Sequence, residues 1–265
     1  MPQSDDPLAE PARKYAAPAL EKGLDILELL STEEAGLSQS EIARRLARSV
    51  SEIFRMLVVL QERGYVALHP LTDRYALTTL LFEVAHRTPP IRRLTTLAGP
   101  VMQRLANKVN QSVHLAILTD DSILVIGQVN SPGNNNMSVR LGAKIDPWRA
   151  SSGRAILAYQ PEDTLRDLIA RVPLPDPLTE AELMAELARI RAAGHEIRES
   201  YVARGIVNIA VPVFDHSGLA AAALTIPHLE RYGDPISFDT CREGAIEAAA
   251  ALSRGLGGGA AQNQA

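Results

Sequence analysis

Only one of the 265 residues, Cys241, is a cysteine. A single thiol cannot close an intramolecular disulfide framework, so packing alone must hold the chain, and the composition suits a reducing cytosol. Long apolar runs are also missing. Stretches such as Leu219 to Ile226 have the length of a strand, not of a membrane span, and the start of the chain does not read as a signal peptide. The expectation is a cytoplasmic protein that does not engage a membrane. Positive charge is not in excess: 27 Lys and Arg stand against 31 Asp and Glu, a formal net charge of -4. That excludes a chain that coats nucleic acid by bulk charge. The familiar catalytic signatures are absent as well. There is no G-x-S-x-G elbow, no H-E-x-x-H and no Walker loop. Ser151 to Arg154 is S-x-x-R and lacks the neutralisable lysine of the S-x-x-K acyl-transfer motif. His69, His86, His114, His195, His216 and His228 are scattered without metal-ligand spacing. No enzyme activity, metal or cofactor is expected, and Cys241, inside a predicted final helix, reads as an inert packing thiol.

What the chain does contain is a strong local pattern between Leu37 and Tyr75. Ser38 with Glu41, and Ser49 with Glu52, are two S-x-x-E capping boxes eleven residues apart. Two start signals that close imply a short helix, a tight turn and a second helix. Ile42 and Leu46 would face inward from the first helix, and Val50, Ile53, Leu57 and Leu60 from the second. The second helix would then turn Ser51, Glu52 and Arg55 outward, the polar face that a recognition helix offers to base edges in a major groove. Gly64 stops this helix. Tyr65 to Leu68 and Arg74 to Leu77 read as two strands, with Pro70 to Asp73 as the turn of a wing. Between Ser38 and Leu80, six arginines face four acids. With so modest a basic footprint, affinity would lean on dimerisation and on helix N-termini meeting phosphates. Arg44, Arg45 and Arg48 are the candidate phosphate contacts and Ser51, Glu52 and Arg55 the candidate reading residues, with Ser49 and Arg74 also expected at the DNA.

A preceding helix from about Ala17 to Leu30, with Leu20, Leu24, Leu27 and Leu30 inward, would complete a three-helix core. The domain order expected is a disordered tail over 1–16, a winged helix-turn-helix over 17–88 and a linker helix over 89–110. An effector-binding and oligomerisation domain over 111–254 and a second disordered tail over 255–265 follow. Pro89-Pro90 marks the boundary, and Pro100 predicts a kink or two helices in the linker, whose stripe is Leu94, Leu97, Val101, Leu105 and Val109. Strands are expected at 112–118, 123–129, 137–141, 206–214 and 219–226, with helices at 152–159, 161–171, from Thr179 to the Gly194 stop, and 238–254. Helices set around an antiparallel sheet make this an α+β domain.

Three segments then resemble the IclR family of transcriptional regulators: LSQSEIARRLARSVSEIFRMLVVLQERGYV, VRLGAKIDPWRASSGRAILAY and RGIVNIAVPVFDHSGLAAAALTI. With the matching domain order, the resemblance covers roughly residues 17 to 254. It implies an N-terminal winged helix-turn-helix, a linker helix and a GAF-like effector domain. It also implies a homodimer, often a dimer of dimers, on palindromic double-stranded operator DNA. A small organic acid would control the binding, and repression and activation both stay open. The resemblance places an effector pocket at Met137, Ile145, Trp148, Ser151, Ser152, Gly153, Arg198, Ile206, Asn208 and Thr225. The amides of Ser151, Ser152 and Gly153 would cradle a carboxylate at the start of a helix. Several departures matter. A lysine common before Ser51 is Val50 here, the usual Leu-His is Pro147-Trp148, the usual Gly-Lys is Gly153-Arg154, and a cysteine position is Asn208.

For several of these residues two readings stay open. Glu52 either accepts from a cytosine amino group or only caps its helix. Arg198 either clamps a carboxylate or pairs with Glu196 or Glu199. Trp148 either walls the pocket or packs its loop, and Met137 and Ile145 are either pocket wall or ordinary core. Two other function classes also stand beside the regulator. One is a small-molecule-processing enzyme with a winged-helix appendage, and the other is a winged helix that binds protein.

Overall fold

The computed structural model describes residues 17–86, 89–134, 137–233 and 235–258. The expected tail over 1–16 lies outside the described residues. The chain divides into two compact units, 1–88 and 89–265.

In the first unit, α1 (Pro18–Leu30), α2 (Gln39–Arg45) and α3 (Val50–Glu62) precede a two-stranded antiparallel wing, β1 (Val66–His69) and β2 (Arg74–Leu77), and a short α4 (Leu80–His86). Both capping boxes form: the Ser38 and Ser49 hydroxyls accept from the amides of Glu41 and Glu52, and each Glu accepts from the backbone of its Ser. Ala47 turns the chain between α2 and α3 at φ 50°, and Arg48 N–H donates back to the Ala43 carbonyl at 2.9 Å. The core holds Ile26, Leu30, Leu37, Ile42, Ile53, Leu57, Val66 and Tyr75. Three inward assignments fail. Leu20 and Leu24 are 63% and 48% exposed, because the inward stripe of α1 is centred on Ile26 and Leu30. Val50 lies near the stripe of Ile53 and Leu57 but is exposed because it sits at the first position of α3, at the open end of the helix. Leu37 bridges Tyr75 and adds a third short contact to the wing, and Gly36, at φ 63°, permits it: a Cβ there would stand 2.5 Å from the Tyr75 carbonyl oxygen.

The second unit is built on a six-stranded antiparallel sheet ordered β5-β4-β3-β8-β7-β6. The strands are β3 (Val113–Leu118), β4 (Ile123–Val129), β5 (Lys144–Ile145), β6 (Glu196–Glu199), β7 (Ile206–Phe214) and β8 (Ala220–Leu229). One face packs on α5 (Pro89–Val109) and α9 (Phe238–Leu256) through Leu105, Val109, Leu115, Ile209, Leu224 and Leu252. The other meets α6 (Ser151–Leu157) through Ala116, Ile156, Ala210 and Ala223, and α7 (Glu162–Arg171) and α8 (Glu180–Ala193) pack behind α6 through Leu157, Leu165, Leu168, Leu183 and Leu187. Side chains alternate along each strand, so residues one register step from the α5 face look towards α6.

Four expectations change here. Residues 137–140 form no strand; the edge strand is β5, which pairs Ile145 with Ile123. The strand β6 was not foreseen. Pro100 sits inside one continuous α5, where burial of Leu94, Ala98, Met102, Leu105 and Val109 holds the turns on either side of it against the same surface. The C-terminal segment is ordered further than expected: Gly255 and Leu256 finish α9 and Gly257, at φ 84°, caps it, while 259–265 lie outside the described residues.

Candidate DNA-reading face and effector cavity

Two surfaces carry functional chemistry, one in each unit. On α3, Ser51 and Arg55 are exposed one turn apart, and Arg55 Nε reaches the Ser51 carbonyl at 3.4 Å. Arg44 and Arg55 enter no ion pair among the described residues. The other basic candidates are engaged. Arg45 pairs with Glu33, and Arg48 stands 4.0 Å from Asp25. Arg74 donates to Glu41 at 2.9 and 3.2 Å and to the Gly36 carbonyl at 2.9 Å. It therefore ties the wing to the capping box of α2 and does not project as a free phosphate ligand. Ser49 is occupied as the cap of α3. Both Glu52 oxygens are in use, one by Lys22 at 2.5 Å and one by Ser49. The Lys22 hydrogen bond, followed by those from Ser49, holds the Glu52 carboxyl down at about 2. Of its two readings, the geometry gives the cap.

In the second unit, a cavity of about 240 Å³ opens between the α6 side of the sheet and the segments 137–145 and 200–202. Strand alternation builds its floor. His114 pairs with Thr225, Thr225 also pairs with Ala210, and Asn208 pairs with Pro227. These polar residues thus share one face across three neighbouring strands. Ser151 and Ser152 enter from the first turn of α6, where Ala150 occupies the N-cap and no side chain caps the helix. Met137, Ile145 and Ile206 supply apolar wall. Among the described residues, three buried polar atoms in this lining have no hydrogen-bond partner: His114 Nδ1, Ser151 Oγ and Thr225 Oγ1. Buried polar atoms are nearly always paired, so three orphans around one cavity point to an occupant. Burial pushes the His114 imidazole down to about 4, so it is neutral at pH 7.

Seven of the ten expected pocket residues line this cavity, and Trp148, Gly153 and Arg198 do not. Trp148 is fully buried among Leu165, Leu168 and Leu183, and its indole N–H donates to the Val172 carbonyl at 3.0 Å, so it packs the loop. Gly153 faces the loop backbone: a Cβ on it would lie 2.2 Å from the Pro147 carbonyl oxygen. Arg198 turns away to Glu196 at 2.9 Å and Glu186 at 3.0 Å. Glu186 also pairs with buried Arg154, whose Nε donates to the Trp148 carbonyl at 2.5 Å. Burial, and behind it the charge of Arg198, lowers the Arg154 guanidinium to about 10, which leaves it cationic at neutral pH. His114, Lys144 and Tyr201 were missed. The alternation of Val113 to Leu118 puts His114 opposite Leu115, but only the β3–β8 register places it beside Thr225.

Residues 91–254 match the family described as bacterial transcriptional regulator IclR C-terminal, and residues 19–70 match the IclR helix-turn-helix domain. The chain belongs to the IclR family. It is 30% identical over 210 residues to the HTH-type transcriptional regulator KdgR of Escherichia coli (strain K12), covering 77% of this chain and 80% of that protein. The crystal structure of the Thermotoga maritima IclR superposes with a TM-score of 0.72 at 28% identity, over 90% of this chain and 98% of that one. An IclR homolog complexed with 4-hydroxybenzoate from Microbacterium hydrocarbonoxydans shares the fold, with a TM-score of 0.74 at 24% identity over 90% and 98% of the two chains. The protein is a DNA-binding transcriptional regulator with a ligand-binding C-terminal domain, not an enzyme. Among the described residues, no helix is long and apolar enough to cross a membrane.

Proposed function

We propose that this regulator controls a catabolic operon from the cytoplasm and that a small organic acid in the cavity of the second unit sets its affinity for a palindromic operator. The observation that carries the reading is the set of three orphaned polar atoms, His114 Nδ1, Ser151 Oγ and Thr225 Oγ1, in an otherwise largely apolar cavity. Each buried polar group left unpaired costs roughly 1–3 kcal/mol, a penalty that a polar ligand relieves and an apolar one does not. Ser151, Ser152 and Asn208 can donate to a carboxylate, while Met137, Ile145 and Ile206 cover a hydrocarbon part. The volume of about 240 Å³ equals about eight waters at roughly 30 Å³ each, which favours a compact acid over a nucleotide. On the DNA side, Ser51 and Arg55 are the reading pair, with Arg44 on phosphate. The modest local charge favours two copies on one operator, as a homodimer or a dimer of dimers, with two α3 helices spaced about 34 Å along one face of the duplex.

The test is a gel shift on the DNA upstream of the protein's own gene at two salt concentrations, with and without small acids, beginning with 4-hydroxybenzoate. A discrete shift that survives nonspecific competitor, weakens steeply with salt and responds to an acid supports the reading. A specific shift that no acid alters, in a protein whose cavity binds none of them in calorimetry, overturns the effector assignment. Chemical turnover of a bound acid would revive the enzyme reading.

A further inference from the structure

We propose that Val50 and Phe54 read thymine methyl groups, so that each operator half-site carries thymines beside the base contacted by Arg55. The inference rests on the DNA-reading role of α3. Val50 is 51% and Phe54 49% exposed, although both are large apolar residues on the helix that carries Ser51 and Arg55. Helical spacing sets Val50 and Phe54 one turn apart in one row, and Ser51 and Arg55 in the row beside it. The first turns of a recognition helix approach base edges, so an apolar strip at this place meets the floor of the groove.

The chemistry of that floor narrows the choice. In the major groove the bases are distinguished by their donors and acceptors, and thymine alone adds a methyl group. A valine and a phenylalanine pressed on any other base edge would bury donors and acceptors that they cannot pair. Against thymine, the same two side chains can cover the methyl group, which needs no hydrogen-bond partner. A flat apolar protein partner fits less well, because it would also bury Ser51 and the unpaired cation of Arg55. The departure at Val50, where the family commonly carries a lysine, therefore trades a phosphate contact for base discrimination.

The experiment uses the full chain and a duplex enriched by it from a randomised pool. Each thymine is replaced singly by deoxyuridine, which lacks only the 5-methyl group. Burying one such carbon contributes about 0.8 kcal/mol, so each contacted position should weaken binding roughly fourfold. Phe54→Ala and Val50→Ala should bind more weakly to the thymine duplex and lose their sensitivity to deoxyuridine at the matching positions. Both sites are half exposed, and an unchanged melting temperature confirms that the variants fold. If specific binding persists but no deoxyuridine substitution weakens it, the thymine reading is overturned while the regulator reading stands. If Phe54→Ala changes oligomeric state in sizing and leaves deoxyuridine sensitivity intact, the strip belongs to a protein interface and the proposal falls. If the chain enriches no duplex at all, the DNA-reading role of α3 falls with it.

Discussion

The buried imidazole of His114 makes the stability of the second unit depend on pH. Its pKa is about 4 in the folded chain and about 6.5 when exposed, and desolvation is the cause. Between those values the unfolded chain binds the proton and the folded chain does not, so stability must rise with pH across this window and fall as the solution is acidified. Integrating the two titrations gives a loss of about 2 kcal/mol from pH 7 to pH 5 and about 3 kcal/mol by pH 4. The other ionisable groups lining the cavity are Lys144 and Tyr201, and carboxylates held low elsewhere, such as Asp121, add losses of the same sign at more acid pH. A His114→Gln variant keeps these and removes the imidazole. Urea unfolding at pH 7, 6 and 5, followed by the fluorescence of Trp148, isolates the effect, because the chain has one tryptophan and it is buried in this unit. The wild type should lose about 2 kcal/mol more than the variant between pH 7 and pH 5. Parallel loss in both would refute the argument, since it would mean that His114 titrates in the folded chain as it does when solvated.

Three substitutions separate the roles assigned above. Arg55→Ala should weaken specific operator binding by about 1–3 kcal/mol in a gel shift without changing the melting temperature, and unchanged affinity would remove Arg55 from the reading face. Arg74→Ala breaks the double pairing with Glu41 and the bond to the Gly36 carbonyl, so it should lower the melting temperature of the winged unit while leaving the salt slope of DNA binding unchanged. A slope shallower by about one would instead return Arg74 to the phosphate backbone. Gly153→Ala forces a Cβ against the Pro147 carbonyl oxygen and should destabilise the second unit by roughly 1–3 kcal/mol in urea unfolding, with loss of acid binding in calorimetry.

The winged unit was legible because its signals are local. Ser38 with Glu41 and Ser49 with Glu52 sit three residues apart, and both capping boxes form where the spacing placed them. The same holds for Thr179 with Glu182, which opens α8, and for Gly194, which closes it. Leu20 and Leu24 were misplaced because the i, i+4 leucine pattern of α1 competes with Ile26 and Leu30, and periodicity alone cannot say which stripe meets a partner. The edge strand β5 is only two residues long, too short for an alternation to show. The cavity was half legible. Ser151, Ser152, Asn208 and Thr225 came from segments resembling a family, whereas His114 needed the pairing of two strands more than a hundred residues apart, which no local pattern encodes.

The residues that sequence reasoning overvalued share a physical reason. Arg198 attracted attention as a carboxylate clamp, yet a buried or half-buried guanidinium must first be neutralised within the protein itself. The structure does this with a four-membered set in which Arg154 and Arg198 face Glu186 and Glu196. Two cations and two carboxylates leave no charge to spare for a ligand. The groups that line the cavity are therefore mostly neutral donors, the hydroxyls of Ser151, Ser152 and Thr225 and the amide of Asn208, with Lys144 as a lining cation. The same charge set also ties the cavity walls together. Arg154 lies on α6, whose first turn carries Ser151 and Ser152, and Arg198 lies on β6, which leads directly into Ser200, Tyr201 and Val202 on the opposite wall. Both arginines hold the one carboxylate of Glu186 on α8. Any movement of one wall against the other would thus work against a shared ion pair, which connects this small cavity to the helix behind it.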